Sequence, residues 1–275
     1  MKAWLMSVAN EDLVYTDVEK IQKKKASQAF IVWVLFFTAT VSINLLIPFA
    51  LRIDLHAWTY SSQKGLILFS VDYAGFFLVL PLLLTKGWYT VRKPSFLIPL
   101  IAAAVSVVVW YPLRYIASVA IVVYVYLHWR FDLSELGFRS KGWVGDLATI
   151  ILAGCLGLIQ AFTASNTLQL TVLPAFYSTL FRMFGNPAST IENLFYFGFL
   201  TERLANRWNR YLLPFLVGAM YTMHEISNPE YWYEGYSFIV IFIGVTVFAA
   251  VYLWRRSIVV TWLSDGLQWF ASRLL

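Results

Sequence analysis

The chain has 275 residues, of which 60% are hydrophobic and 13% charged, and its mean hydropathy is +0.66. A soluble domain keeps about a quarter of its residues charged, so this composition excludes an ordinary soluble fold. The net charge of +6 comes from basic residues scattered between apolar runs, which predicts no nucleic-acid-binding face, and the single cysteine excludes a disulfide within the chain.

The N-terminal part of the chain predicts a cytoplasmic leader followed by transmembrane helices. Residues 1–28 mix acids and lysines without an apolar core. Residues 29–129 contain apolar runs close to the roughly 20 residues that an α-helix needs to cross a bilayer. We predict helices at about 29–51, 66–85, 96–113 and 115–129.

The C-terminal part, 130–275, begins with a long basic loop and continues with further apolar runs. We predict a re-entrant or interfacial segment at 168–184, broken by Pro174, because a full crossing would place the later arginines on the wrong side. Ser189 or Thr190 then caps the next helix. Helices are predicted at about 145–163, 190–207, 211–226, 237–254 and 257–273.

Together these segments predict an all-α, polytopic transmembrane bundle of eight or nine helices. Every basic cluster then lies on one side of the membrane, which the positive-inside rule identifies as the cytoplasm and which also holds the N-terminus. The acidic residues Glu225, Glu230 and Glu234 are predicted in one outer loop. Tryptophan and tyrosine recur near the helix ends, a pattern typical of anchoring among membrane lipids.

Charged residues at membrane depth are the candidate functional residues, because burying a charge costs several kcal/mol unless it is paired or used. They are Asp72, Glu192, His224 and Asp265. Glu192 and His224 are predicted at similar depth on adjacent antiparallel helices, where a carboxylate and an imidazole could activate water. The structural alternatives are that Glu192 stabilises a helix N-terminus, that His224 lies at the interface and that Asp72 is a packed acid.

No metal or cofactor site is predicted. The sequence has three histidines, no His-Glu-x-x-His, no Gly-x-Ser-x-Gly and no phosphate-binding glycine loop. His56 and His128 are predicted at helix ends, in contact with solvent.

Three sequence phrases resemble the CPBP family of intramembrane proteases, which includes CAAX prenyl endopeptidases and bacteriocin-processing relatives. The first is Glu-Leu-Gly-Phe-Arg at 135–139. The second is the run from Glu192 to Leu200, which is similar to the family's Glu-Glu-x-x-x-Arg helix. The third is His224, which lies 32 residues after Glu192. The resemblance covers about residues 130–275 and implies that Glu192 and His224 are the water-activating pair.

Several positions depart from the family pattern. Asn193 replaces the second glutamate, Phe197 the arginine and Met220 the phenylalanine. Asp265 stands where a second histidine is usual, and Trp269 where an asparagine is usual. Phe197 cannot hold a carboxylate as arginine would. Asp265 could partly replace the histidine by pairing with protonated His224.

Three functions therefore stand open. The first is a divergent glutamate-type intramembrane protease with Glu192 as base, His224 as electrophilic partner and Asp265 as orienting residue, acting on a membrane-proximal peptide. The second is a catalytically inactive relative that binds or assembles another membrane protein. The third is a transporter or channel in which Asp72 and Asp265 line a polar pathway.

Overall fold

The computed structural model describes residues 2–68, 71, 137, 139–164, 172–180, 192–205, 207–235 and 237–272, with the backbone alone for 2–19. Every regular element in these residues is helical, in agreement with the predicted fold class. The helices are α1 (Lys2–Val41), α2 (Ile47–Leu51), α3 (Leu55–Thr59), α4 (Ser62–Leu68), α5 (Trp143–Ala164), α6 (Val172–Leu180), α7 (Glu202–Leu204), α8 (Leu213–Ile226), α9 (Pro229–Tyr233), α10 (Phe238–Arg255) and α11 (Ile258–Ser272). Two π-helical segments occur, Ser42–Leu46 and Leu194–Thr201.

Two helical stretches of the described chain are long and apolar enough to cross a membrane. They are Lys20–Leu51, with 32 residues, and Phe238–Arg255, with 18 residues. A third stretch, Trp143–Ile159, is apolar but shorter. The predicted helices between 72 and 136, and Asp72 itself, lie outside the described residues.

Three predicted boundaries differ from the structure. The first helix begins at Lys2 instead of about residue 29, so the leader continues the helix without a break. Pro174 lies in the first turn of α6 and does not break it, because a proline near a helix start removes no intrahelical hydrogen bond. Glu225 belongs to the last turn of α8, whereas the sequence placed it in an outer loop.

The apolar core joins α1, the second π segment, α8 and α10. Its completely or almost completely buried side chains include Phe36, Phe195, Leu200, Val217 and Tyr252. Aromatic residues fill the space between α1 and the π segment, where the rings of Phe36 and Phe195 meet edge to face at 5.9 Å. These contacts hold the π segment, which follows Glu192 on the same helix, against the first long helix.

Small residues allow two helix pairs to approach closely, as is usual between membrane helices. A Cβ atom at Gly218 of α8 would collide with Thr246 Oγ1 of α10. A Cβ atom at Gly157 of α5 would lie 2.9 Å from the Cβ of Ala271 on α11, and would also collide with a carbonyl oxygen of that helix. The pairs α8–α10 and α5–α11 are therefore packed backbone to backbone.

Charged groups gather at one end of the bundle. Arg207 Nη1 donates to Ser27 Oγ at 3.0 Å, which brings the end of the π-containing helix to the basic stretch 23–25 of α1. Arg255 forms an ion pair with Asp146 at 2.6 Å and also donates to the Gly142 carbonyl oxygen at 2.9 Å. At the opposite end, Lys64 Nζ donates to Asn228 Oδ1 at 2.8 Å.

Candidate functional site

The segment that carries Glu192 continues into a π-helix. Glu192 and Asn193 are helical, and the π segment Leu194–Thr201 follows directly. The Thr201 hydroxyl donates to the carbonyl oxygen of Tyr196, five residues earlier, at 2.6 Å. Because a π-helix is rare outside single turns and occurs frequently at functional sites, this eight-residue segment marks the region as a candidate.

Tyr221 of α8 connects the two residues that the sequence predicted as a pair. Its hydroxyl donates to Glu192 Oε2 at 3.3 Å. Its ring lies edge-on to the ring of His224, one helical turn later, with centroids 6.2 Å apart. Glu192 and His224 are therefore brought to opposite parts of one tyrosine side chain.

Aromatic rings surround the imidazole of His224. Phe36 meets it edge-on at 4.7 Å between centroids, and Tyr196 lies nearly parallel to it at 6.3 Å. The residue is only 8% exposed, and among the described residues Nδ1 has no hydrogen-bond partner. A buried polar atom without a partner is uncommon, so the ring is held by packing while one nitrogen remains available for a hydrogen bond.

Glu225 is a second buried carboxyl group, which the sequence prediction missed. It is 3% exposed, and the side chains of Tyr221 and Tyr231 lie near its carboxyl group. It also lies close enough to Glu192 for the two charges to repel each other. Its place in the last turn of α8 is electrostatically unfavourable, because the C-terminal end of a helix repels negative charge.

Tyr231, in the short helix α9, lies near Glu225 at the C-terminal end of α8. Burial raises the pKa of its hydroxyl above the ordinary value, so the hydroxyl near Glu225 stays protonated. The polar group formed by Glu192, Tyr221, Glu225 and Tyr231, together with the adjacent His224, is referred to below as the carboxyl site.

The positions that differ from the CPBP sequence pattern lie mainly in the apolar core. Phe197 is 3% and Met220 2% exposed, and both belong to the core shared by the π segment and α8. Asn193 is half-buried directly before the π segment. Asp265 is a buried residue of α11, whose closest packing is against α5. Trp269 Nε1 donates to Ser178 Oγ of α6 at 3.1 Å, so this side chain connects two helices.

Glu202 forms a second polar cluster that the sequence prediction missed. Tyr252 and Arg256 donate to its Oε2 at 3.0 and 2.8 Å, and Arg139 lies 3.8 Å from its Oε1. This carboxylate has two basic partners at the charged end of the bundle. The arrangement is a structural ion cluster.

Within the described residues, no group of three or more His, Cys, Asp or Glu side chains is arranged to hold a metal ion. The side chains of the carboxyl site can transfer protons and form hydrogen bonds. No protein-family model, curated protein or solved structure matches the chain.

Proposed function

We propose that the chain is a multi-pass membrane protein of the CPBP type, with eight or nine spans, a cytoplasmic N-terminus and a re-entrant segment at 168–184. The two apolar helices long enough to cross a membrane support the membrane location. The contact between Arg207 and Ser27 supports a common side for the basic clusters, because it joins Arg207 to the end of α1 that carries Lys23–Lys25.

The proposed activity is hydrolysis of a membrane-anchored peptide by the carboxyl site. The observation that carries this proposal is the convergence of Glu192 and His224 on Tyr221, across two different helices. Titratable residues are costly at membrane depth, and a shared site gives Glu192 and His224 a common use. Glu192 is only half-buried, so it is the member of the pair that water can reach.

The proposed reaction needs one base and one hydrogen-bond donor. Glu192 accepts a proton from water, and the water oxygen forms a bond to the peptide carbonyl carbon. The carbonyl electron pair moves to oxygen, and an imidazole N–H of His224 donates to the resulting oxyanion. When the carbon–nitrogen bond breaks, the proton held by Glu192 passes to the leaving amine. The sequence also suggested Asp265 as the residue that orients His224; in the structure Asp265 lies on α11, and His224 Nδ1 has no hydrogen-bond partner among the described residues.

The second candidate function is binding of another membrane protein without hydrolysis. The burial of Phe197 and Met220 in the apolar core favours it, because neither position can orient a carboxylate or an imidazole. In that case the bundle keeps its helix packing and presents its outer surface to a partner in the membrane.

The decisive experiment compares cells that produce the wild-type chain, Glu192→Gln or the control Glu234→Gln. The control changes an exposed glutamate in the turn after α9. Mass spectrometry of the newly formed peptide termini of membrane proteins should reveal cleavages in wild type and control that disappear in Glu192→Gln. Identical termini in all three would refute the peptidase proposal. The same outcome, with an unchanged crosslinked membrane partner, would support the second candidate.

A further inference from the structure

The turn that joins the π-containing helix to α8 consists of six exposed residues, 207–212. It carries two basic, two aromatic, one amide and one aliphatic side chain, namely Arg207, Arg210, Trp208, Tyr211, Asn209 and Leu212. The side-chain oxygen of Asn209 accepts the backbone N–H of Tyr211 at 2.9 Å, and its carbonyl oxygen accepts that of Leu213 at 2.9 Å. These hydrogen bonds give the turn a defined shape, so its basic and apolar side chains form one surface.

The basic stretch of α1 lies beside this turn. Arg207 Nη1 donates to Ser27 Oγ at 3.0 Å, and Lys24 precedes Ser27 by three residues, which places the two about one helical turn apart on the same side of α1. Lys24 and Lys25 are both exposed. A guanidinium group has five N–H donors, so the bond to Ser27 leaves others for a further acceptor. Three or more cations can therefore reach one anion at this place.

The acids described at this end of the bundle are bonded to arginines outside the turn. Glu202 binds Arg256 at 2.8 Å, and Asp146 binds Arg255 at 2.6 Å. Within the described part of the chain, neither arginine of the turn forms an ion pair with a carboxylate. The surface therefore keeps its positive charge for a partner from outside the chain.

The turn lies at the level where an apolar helix long enough to cross a membrane ends. That helix is α10, which packs against α8 where Gly218 meets Thr246. The two helices are antiparallel, because only the short connection through α9 separates them. Leu212 precedes Gly218 by six residues and Tyr252 follows Thr246 by six, so both lie about 9 Å from this contact. Tryptophan and tyrosine side chains are enriched at this level, next to lipid headgroups.

We propose that the 207–212 turn and the adjacent lysines of α1 bind the headgroup of an anionic phospholipid. Arg207 and Arg210 bind the phosphate oxygens, for which the planar guanidinium group is well suited. Leu212 and Phe215, which are 61% and 55% exposed, contact the acyl chains. A soluble anion would leave these two side chains in water, whereas a lipid covers them. The inference rests on the membrane location proposed above and is independent of the peptidase activity.

Native mass spectrometry of the full-length chain, released from detergent micelles with equal amounts of phosphatidylglycerol and phosphatidylcholine, tests the proposal. Wild type should retain phosphatidylglycerol in preference, and Arg210→Gln should weaken its binding about fivefold. Arg210 stacks on its neighbour Tyr211 at 5.2 Å, so this variant should fold. The control Arg52→Gln removes an exposed arginine at the opposite end of the bundle and should bind as wild type does. Equal losses in the two variants would overturn the proposal.

Two further measurements identify what the surface recognises. Leu212→Ser keeps every cation and should still weaken the retention of phosphatidylglycerol, because it removes an acyl-chain contact. An excess of soluble glycerol phosphate, which has no acyl chains, should displace none of the lipid, and displacement would overturn the assignment to a lipid. Equal retention of the two phospholipids by wild type would overturn this inference and leave the membrane location intact.

Discussion

Replacing Arg255 by methionine should destabilise the charged end of the bundle more than any exposed arginine would. The guanidinium group binds Asp146 through two contacts, Nε to Oδ1 at 2.8 Å and Nη2 to Oδ1 at 2.6 Å. It also donates to the carbonyl oxygen of Gly142 at 2.9 Å. These contacts connect the end of α10 to the start of α5.

The magnitude follows from the burial of the pair. The side chains of Arg255 and Asp146 are 10% and 14% exposed. Removing one partner of a buried ion pair costs about 3–5 kcal/mol, because the remaining charge stays buried without compensation. Since Asp146 keeps some contact with water, we expect a loss of about 3 kcal/mol in the free energy of unfolding, at the low end of that range.

A double-mutant cycle measures this interaction. The free energy of unfolding of the full-length chain in mixed micelles should be determined for Arg255→Met, Asp146→Asn and the double variant. The double variant should be more stable than the sum of the single losses predicts, by about 2 kcal/mol. Arg210→Met, at an exposed arginine stacked on Tyr211, is the control and should change little. Additive losses would refute the reasoning.

Two further predictions concern packing and pH. Gly218→Val should lower the free energy of unfolding by about 1–3 kcal/mol, because the added side chain pushes α8 away from α10. Gly244→Val is the control, since nothing lies within 4 Å of the added Cβ, and it should leave that free energy unchanged. Equal unfolding midpoints for the two variants would contradict this prediction. Burial lowers the pKa of Lys64 below its ordinary 10.5, so the unfolded chain binds more protons in the interval between the two values. The unfolding temperature of wild type, measured relative to that of Lys64→Met, should therefore rise as the pH rises towards 10.5. The variant Lys24→Met, at an exposed lysine, is the control, and its unfolding temperature relative to Lys64→Met should rise in the same way.

The C-terminal helices could be predicted well from the sequence. Helices predicted at 145–163, 237–254 and 257–273 lie within one or two residues of α5, α10 and α11. Their apolar runs end at charged or polar residues such as Arg255, so composition alone marks the boundaries. The N-terminal start of α1 was missed because a helix that continues beyond an apolar segment has no change of hydropathy to mark it.

The candidate site could be predicted only in part. Glu192 and His224 were predicted because each is a titratable residue in a predicted membrane-spanning helix. Glu225 was missed, since its position beside Glu230 and Glu234 resembles a solvated acidic loop. Glu225 is buried because α9 packs over the end of α8 and because Tyr231 lies beside it. A hydropathy pattern contains neither of these contacts. Glu202 was missed for a similar reason, because its partners come from distant parts of the chain.

The π segment Leu194–Thr201 has a consequence for the way this helix can change during evolution. It joins Glu192 to Glu202, which face different polar clusters at the two ends. Because each residue of an α-helix turns the chain by about 100°, deleting one residue and restoring regular α geometry would rotate one glutamate away from its cluster. The extra residue in each π turn therefore sets the relative orientation of the two glutamates, so that one helix can direct each of them towards its own cluster.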